Sequence, residues 1–346
     1  MKFLRIILFP FAIVYGCITS IRNWMFDNGI FKSNSFDLPI IAVGNLSVGG
    51  TGKTPQIEHL IRLLSQHYKV ATLSRGYKRK SEGFILADET VTAAILGDEP
   101  FQFYQKFPKI QVAVDADRSN GIRQLLSQKT KPEIILLDDA YQHRKVKAGL
   151  YILLTSYGDL YSNDFILPTG NLRESRSGAK RATIIIVTKC PANLSAPEQD
   201  EIKQKLNLKT DQELFFTFID YDTRVYSERE TLEVADVKNQ KKLVVAGIAK
   251  PTPFFDFITS NQDKCLTFPD HHDFSESDIA VIQERAQRLK IITTEKDYVR
   301  LMNTVLVPQL YYLPIKSSFI TNQNQFDSII LAYVGSSSRN RTIHSI

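Results

Sequence analysis

The segment VGNLSVGGTGKTP, residues 43–55, has the residue types of a phosphate-binding loop. Such a loop needs glycines so that its backbone can curl close to phosphate oxygens, a lysine for the β- and γ-phosphate oxygens, and a serine or threonine for Mg²⁺. The usual spacing, GxxxxGK[ST], would place a glycine at Ser47, so the motif departs from its regular form. The residues predicted to bind the nucleotide are Ser47, Val48, Gly49, Gly50, Thr51, Gly52, Lys53 and Thr54.

Two consecutive carboxylates, Asp138 and Asp139, follow the apolar run EIILL. In P-loop enzymes a carboxylate at the end of a neighbouring strand helps to hold Mg²⁺, which bridges β- and γ-phosphate oxygens. We therefore predict Thr54, Asp138 and Asp139 as the metal-binding residues. The alternative is a solvated turn, because aspartate is common in turns.

Asp98, in the segment GDEPFQFY, is a candidate general base for an acceptor hydroxyl. An aspartate followed by Glu and Pro is also a common helix start, so the segment alone leaves both interpretations open. The segment FPDHHDFS adds His271 and His272. Adjacent histidines without a third ligand at a known spacing rarely bind a metal, and we consider His271 as a partner that orients or polarises Asp98.

Two basic segments, SRGYKRK (74–80) and LPTGNLRESRSGAKR (167–181), are candidates for contacting a phosphate or another anionic group of the substrate. The alternative for each is a solvated charged surface. Only Tyr77 is interleaved with the basic residues of these segments, which is too little for stacking on single-stranded nucleic acid. The net charge of +6 suits an anionic partner, and we predict that this partner is not a nucleic acid.

Short apolar strands alternate with amphipathic helical stretches around these motifs. IIAV leads into the glycine loop, and residues 55–67 are predicted to form the next helix, with Ile57, Leu60, Ile61 and Leu64 on one face. KVATL, IQVAV, EIILL, YILLT and TIIIVT are predicted to be further strands. The pattern predicts an α/β fold of the P-loop nucleoside triphosphate hydrolase type, with a mostly parallel sheet and helices on both faces.

The predicted domains are an N-terminal helix (1–35), a nucleotide-binding core (36–190), a smaller C-terminal α/β lobe (191–335) and a polar tail (336–346). With 346 residues, 43% hydrophobic and 23% charged, the chain is not a disordered one. Residues 6–21 carry no charge, but this run contains Pro10 and is shorter than the roughly 20 residues of a spanning helix. We expect an amphipathic helix in a membrane interface; the alternatives are a buried core helix and a true span.

Taken together, the motifs resemble the tetraacyldisaccharide 4'-kinase family, the lipid A 4'-kinases of Gram-negative bacteria. The segments that carry the resemblance, in the family's order, are VGNLSVGGTGKTP, SRGYKRK, GDEP, DDAYQHRKV, LPTGNLRES, AGIAKPTPFF, FPDHHDFS and TTEKDYVRL. The resemblance implies transfer of the γ-phosphate of ATP to the 4'-hydroxyl of a lipid A disaccharide precursor, with ATP and Mg²⁺ as cofactors. It also implies a membrane-associated N-terminal helix and work at the cytoplasmic face of the inner membrane.

The resemblance further implies that Asp98 and His271 form a base dyad, with His272 left open as the acting histidine. Lys53 is the third predicted catalytic residue, and the Asp pair would bind Mg²⁺ and close the site. The residues predicted to contact the substrate are Arg75, Tyr77, Gln142, His143 and Arg173. The alternative function is a P-loop ATPase switch that controls a membrane or protein partner, which would not need Asp98 and His271.

Overall fold

The computed structural model describes residue 5 and residues 7–343, with side chains up to residue 337. The strands are β1 (Ile40–Asn45), β2 (Val70–Ser74), β3 (Ile85–Leu86), β4 (Gln111–Val114), β5 (Ile134–Asp138), β6 (Leu150–Ser156), β7 (Ile184–Thr188), β8 (Glu213–Tyr221), β9 (Arg224–Tyr226), β10 (Thr231–Glu233), β11 (Lys242–Ala246), β12 (Lys264–Thr267), β13 (Lys290–Thr294), β14 (Leu310–Leu313) and β15 (Ile315–Phe319). The α-helices are Phe9–Asp27, Lys53–Leu64, Ala93–Leu96, Asp98–Lys106, Arg118–Ser127, Ala196–Leu206, Val234–Lys238, Thr252–Ile258, Glu276–Ala286, Glu295–Leu301 and Gln323–Ile343. Short 3₁₀ helices lie at Tyr161–Asn163, Arg176–Arg181 and Val307–Gln309.

The larger sheet has the strand order β15-β8-β7-β6-β1-β5-β2-β4-β3. Neighbouring strands from β8 to β4 are parallel, and only the edge strands β3 and β15 pair antiparallel. β1, β5 and β7 are buried along their whole length, because helices cover both faces of the sheet. The carboxyl ends of these strands meet at one edge, which is where ligands bind in open α/β sheets. The predicted α/β architecture is therefore confirmed.

The predicted helix after the glycine loop forms one side of the core. Its predicted apolar residues Ile57, Leu60, Ile61 and Leu64 are all fully buried against the central strands. The helix Gln323–Ile343 packs into the same cluster. This packing holds the start of the helix Lys53–Leu64, and with it the phosphate loop, at the centre of the sheet.

A second sheet, in the order β10-β9-β14-β13-β11-β12, forms a smaller body within the predicted C-terminal lobe. Two strands from that same predicted lobe, β8 and β15, join the larger sheet instead. The final helix extends into residues 336–343 of the predicted polar tail, and residues 344–346 lie outside the described residues. The chain thus crosses between the two sheets, and the domain limits given above stay a prediction.

The helix Phe9–Asp27, which we name the N-terminal helix, lies on the surface of the protein. Ala12 is its only buried residue among those described, whereas Phe11, Ile18 and Trp24 are 66%, 60% and 57% exposed. A buried core helix is therefore excluded for this segment. None of the described helices is both long and apolar enough to cross a membrane. Residues 1–4 and 6 of the predicted N-terminal segment lie outside the described residues.

Candidate active site

The phosphate loop connects β1 with the helix Lys53–Leu64, which we name the P-loop helix. Gly49 and Gly52 have φ angles of +107° and +81°, in a region that side chains disfavour, which explains why glycine is needed there. The amides of such a loop and the positive end of the helix attract an anion. Hydrogen bonds from elsewhere in the chain hold the loop: Val48 N–H to the Asn171 carbonyl (2.8 Å), Thr188 Oγ1 to the Thr51 carbonyl (2.8 Å) and Lys189 Nζ to the Gly50 carbonyl (2.5 Å).

Lys53 and the Asp pair, which were predicted from separate motifs, lie side by side. The Nζ atom of Lys53 is 3.1 Å from Asn45 Oδ1 and 3.6 Å from Asp139 Oδ1. Lys53 and Thr54 are the first two residues of the P-loop helix, so their side chains leave the backbone next to the loop. The arrangement brings one ammonium, one hydroxyl and two carboxylates to the same end of the helix.

Asp138 and Asp139 differ in their surroundings and therefore in acidity. Burial raises the pKa of Asp138 to about 6, and the neighbouring Asp139 adds to this effect. Ser74 Oγ donates to Asp138 Oδ2 at 3.3 Å, while Oδ1 is buried without a hydrogen-bond partner among the described residues. Burial also acts on Asp139, but Lys53 and the hydrogen bond from Arg173 outweigh it and lower the pKa of Asp139 to about 2.

Arg173 spans the gap between Asp139 and the end of β1. One guanidinium nitrogen donates to Asp139 Oδ1 at 2.9 Å and to Asn45 Oδ1 at 2.7 Å, and the other donates to Asp139 Oδ2 at 3.3 Å. Gln142 Nε2 donates to the Asn45 carbonyl and to Glu174 Oε1, both at 3.0 Å. Two of the predicted substrate residues thus contact the strand that leads into the phosphate loop.

His143, Arg75 and Arg118 form the basic side of the same site. Burial lowers the pKa of His143 to about 4, and the positive charges of Arg118 and Arg75 lower it further, so the imidazole is neutral at pH 7. Arg118 is 2% exposed, and its Nε and Nη2 have no hydrogen-bond partner in the part of the chain that the structure describes. Arg75 is exposed and makes no hydrogen bond or ion pair with any described residue. Unpaired guanidinium nitrogens beside the Asp pair can bind an anion.

Asp98 and His271 lie close together although they belong to different sheets. Asp98 lies in the segment between β3 and β4 of the larger sheet, and His271 lies between β12 and β13 of the second sheet. Asp98 begins the helix Asp98–Lys106, which we name the Asp98 helix, and its Oδ2 is 3.6 Å from His271 Nδ1. Arg300 donates to the same carboxylate oxygen and lies 3.1 Å from His271 Nδ1. His272 turns away and pairs with Asp278 at 2.9 Å. Of the two adjacent histidines, it is His271 that faces Asp98.

Glu99 interacts electrostatically both with the residues around His271 and with Asp138 of the Asp pair. Lys296 Nζ is 2.9 Å from Glu99 Oε1 and 3.5 Å from His271 Nε2. Burial opposes ionisation of Glu99, but Lys296 outweighs it and lowers the pKa of this carboxyl. The charge of Glu99 in turn helps to raise the pKa of Asp138. Glu99, next to Asp98 in sequence, is thus close enough for its charge to act on Asp138.

Tyr77 lies at the edge of this site. Its side chain is 64% exposed, and its ring is in edge contact with that of His271, with 6.1 Å between the ring centres. Tyr77 is thus placed to contact a ligand that approaches His271 from solvent.

Sequence reasoning missed several residues of the site. Arg300 and Lys296 lie on the helix Glu295–Leu301, which we name the Lys296 helix, and their spacing of i and i+4 places them on one face. They occur in the quoted segment TTEKDYVRL, but their partners are distant in sequence. Arg118 gave no sequence signal beyond a basic residue in a polar stretch, and Glu174 lies in the quoted segment LPTGNLRES but was not predicted as a site residue. Only the fold reveals that both are buried at the site.

A phosphate loop after the central strand, an Asp pair on the adjacent strand, and a parallel sheet with helices on both faces define a P-loop nucleotide-binding protein. The comparisons with known proteins give the family. A family model described as "Tetraacyldisaccharide-1-P 4'-kinase" matches residues 4–335. The chain belongs to this family.

Relatives and a solved structure agree with the family model. The chain is 69% identical over 334 residues to a tetraacyldisaccharide 4'-kinase of Flavobacterium johnsoniae, covering 96% of this chain and 98% of that protein. It is 44% identical to the corresponding protein of Bacteroides thetaiotaomicron, covering 96% and 94%. The crystal structure of LpxK from Aquifex aeolicus in complex with ATP matches with a TM-score of 0.79 and 29% identity, covering 96% of this chain and 99% of that chain.

Proposed function

We propose that the chain transfers the γ-phosphate of ATP to the 4'-hydroxyl of a tetraacyldisaccharide 1-phosphate, giving the 1,4'-bisphosphorylated lipid. The family and the names of its relatives support this reaction. The observation that carries it is the position of Asp98 beside His271, next to Glu99, whose charge acts on Asp138 of the Asp pair. A P-loop ATPase switch would need the loop and the metal carboxylates but no base for an acceptor hydroxyl.

The phosphate loop and Lys53 hold the triphosphate of ATP in this proposal. The Aquifex aeolicus relative was crystallised with ATP, which supports the same nucleotide here. Backbone amides of the loop bind phosphate oxygens, and the Lys53 ammonium offsets the charge that develops on the γ-phosphate. The unpaired nitrogens of Arg118 add a second cation next to the Asp pair.

Thr54, Asp138 and Asp139 are the residues that would hold Mg²⁺. The buried Asp138 Oδ1, which has no hydrogen-bond partner among the described residues, fits a cation, and Mg²⁺ in kinases takes one or two carboxylates together with substrate phosphates. When bound between these residues and the nucleotide, the ion would neutralise negative charge on the phosphates. Arg173 fixes the orientation of Asp139 through two hydrogen bonds.

Asp98 acts as the general base on the acceptor. Arg300 donates to Oδ2 of Asp98, whereas Oδ1 makes no hydrogen bond with the described residues and can accept the proton of the 4'-hydroxyl. The alkoxide oxygen then forms a bond to the γ-phosphorus as the bond to the bridging oxygen of ADP breaks. His271 assists the base through Arg300, which donates to Asp98 Oδ2 and lies 3.1 Å from His271 Nδ1. Tyr77, Gln142 and His143 line the side from which the sugar enters.

We infer that the N-terminal helix attaches the enzyme to the cytoplasmic face of the inner membrane. Its outer surface carries exposed apolar side chains such as Phe11, Ile18 and Trp24, which can enter the interface between headgroups and acyl chains. The acceptor carries acyl chains that remain in the bilayer, so the active site must approach the lipid there. Peripheral attachment by this helix meets that requirement.

The experiment that tests the proposal measures ADP release from Mg·ATP with and without the tetraacyldisaccharide 1-phosphate in detergent micelles. We expect release to depend on the acceptor and to disappear in Lys53→Met. Release at the same rate without acceptor would favour the ATPase switch. Unchanged release in Lys53→Met would show that the loop does not bind the phosphates.

A further inference from the structure

Lys106, which no part of the proposed mechanism uses, is placed between two buried carboxylates. Its Nζ is 2.8 Å from Glu58 Oε2 and 2.6 Å from Glu295 Oε1. The side chains of Glu58 and Glu295 are only 1% and 8% exposed, and that of Lys106 is 21% exposed. We name these three residues the Lys106 triad.

The triad joins the three helices that carry the proposed catalytic groups. Glu58 belongs to the P-loop helix, one turn after Thr54. Lys106 is the last residue of the Asp98 helix, and Glu295 is the first residue of the Lys296 helix. Each of these helices therefore carries one residue of the triad and at least one residue of the proposed active site.

Further hydrogen bonds hold the carboxylates in place. Glu58 also accepts from Gln102 Nε2 at 2.9 Å and from Arg62 at 2.7 Å. Glu295 Oε2 accepts from the amide of Ile315 at 3.4 Å. Because both carboxylates are fixed by other donors, the ammonium between them has one defined position, and so have the helices to which it is attached.

Lys106 itself cannot reach the substrate. It lies eight residues after Asp98 on a continuous helix. At about 1.5 Å per residue, the Cα atoms of the two residues are roughly 12 Å apart along the helix axis. Any effect of Lys106 on the reaction must therefore pass through the positions of the helices. Asp98, at the other end of its helix, must stay aligned with Lys53 on the P-loop helix and with Arg300 on the Lys296 helix.

We infer that Lys106 is a positioning residue, which with Glu58 and Glu295 sets the distance between the base Asp98 and the phosphate loop. The inference rests on the residue roles proposed above. Displacement of a reacting group by about 1 Å can lower the rate on the order of 100-fold without changing ground-state binding. The triad should accordingly control kcat and leave ATP affinity almost unchanged.

The test needs a variant that folds. Lys106→Met alone would leave two buried carboxylates facing each other, which is strongly destabilising. The triple variant Lys106→Met, Glu58→Gln, Glu295→Gln removes all three charges and keeps the side-chain volumes close to the original. Lys106→Arg, which can still pair with both carboxylates, is the conservative variant. The matched control is Lys205→Met with Glu201→Gln, an exposed ion pair on the helix Ala196–Leu206.

We expect kcat of the triple variant to fall by about 10- to 100-fold while KM for ATP changes by less than about threefold. Lys106→Arg should recover most of kcat, and the control should match the wild type. Thermal unfolding measured by circular dichroism gives the folded fraction of each protein. A triple variant with normal kcat, or with a loss of kcat that equals its loss of folded protein, would overturn the inference.

Asp98→Asn separates the failure of this inference from that of the site itself. If Asp98→Asn is inactive while the folded triple variant is fully active, only the role of the triad is wrong. If Asp98→Asn keeps normal kcat, the proposed base is wrong, and the inference loses its foundation.

Discussion

Asp138→Asn should stabilise the folded protein at neutral pH, although it removes a proposed metal ligand. The pKa of Asp138 is raised from 3.8 to about 6, mainly because the side chain is buried. The folded state therefore holds this proton more tightly than the unfolded state does, and ionising Asp138 costs stability as pH rises from 4 to 6. A difference of about 2 pH units, at about 1.4 kcal/mol each, corresponds to about 3 kcal/mol.

The assay is urea unfolding followed by circular dichroism, for the wild type and Asp138→Asn, in EDTA between pH 4 and pH 7. At pH 4 the side chain at position 138 is uncharged in the folded wild type as well as in Asp138→Asn. The difference in free energy of unfolding between the two proteins at pH 4 therefore serves as the reference for the higher pH values. We expect the advantage of Asp138→Asn in free energy of unfolding to grow by about 2 kcal/mol from pH 4 to pH 7, because part of the roughly 3 kcal/mol is already present at pH 4, where the unfolded carboxyl is about half ionised. A difference that stays constant over this range, or shrinks, would refute the reasoning.

Three further predictions concern the base and the membrane. Asp98→Asn should lower kcat by about 10²- to 10⁴-fold with little change in KM for ATP, because the general base acts only in the transition state; a mainly weakened nucleotide affinity would reassign Asp98. His271→Ala should lower kcat far more than His272→Ala, since only His271 faces Asp98, and the reverse order in steady-state kinetics would contradict the assignment. Ile18→Ser with Trp24→Ser should reduce co-sedimentation with vesicles while preserving kcat in detergent, and unchanged co-sedimentation would argue against the helix as the anchor.

The central fold and the phosphate loop were predictable because their signals are local. Each buried strand is a short apolar run, and the P-loop helix shows its buried face through Ile57, Leu60, Ile61 and Leu64. The loop needs glycine where φ is positive, so the residues that determine its conformation and chemistry are adjacent in sequence. Patterns of this kind need no knowledge of distant contacts.

Contacts between distant segments were not predictable in the same way. Arg300 pairs with Asp98 across 202 positions of sequence, and nothing in either segment specifies the other. β15 pairs with β8 in the larger sheet although the intervening chain builds most of the second one. The choice between His271 and His272 also required the fold, because both have the same neighbours in sequence.

The Lys296 helix contributes residues to the candidate site that were not among the residues predicted from the motifs. Lys296 and Arg300 surround His271, and Arg300 holds one oxygen of Asp98. These cations contact the proposed base and its partner, and Lys106 contacts Glu295, the first residue of the same helix. The proposed catalytic groups thus depend on three helices whose relative positions the local sequence does not encode.

The most direct test of the central claim is analysis of the lipid product by mass spectrometry and phosphorus NMR after incubation with Mg·ATP and the tetraacyldisaccharide 1-phosphate. We predict a lipid with one added phosphate, at the 4' position, from the wild type and almost none from Asp98→Asn. A lipid that remains monophosphorylated while ATP is consumed, or a phosphate at another position, would contradict the account.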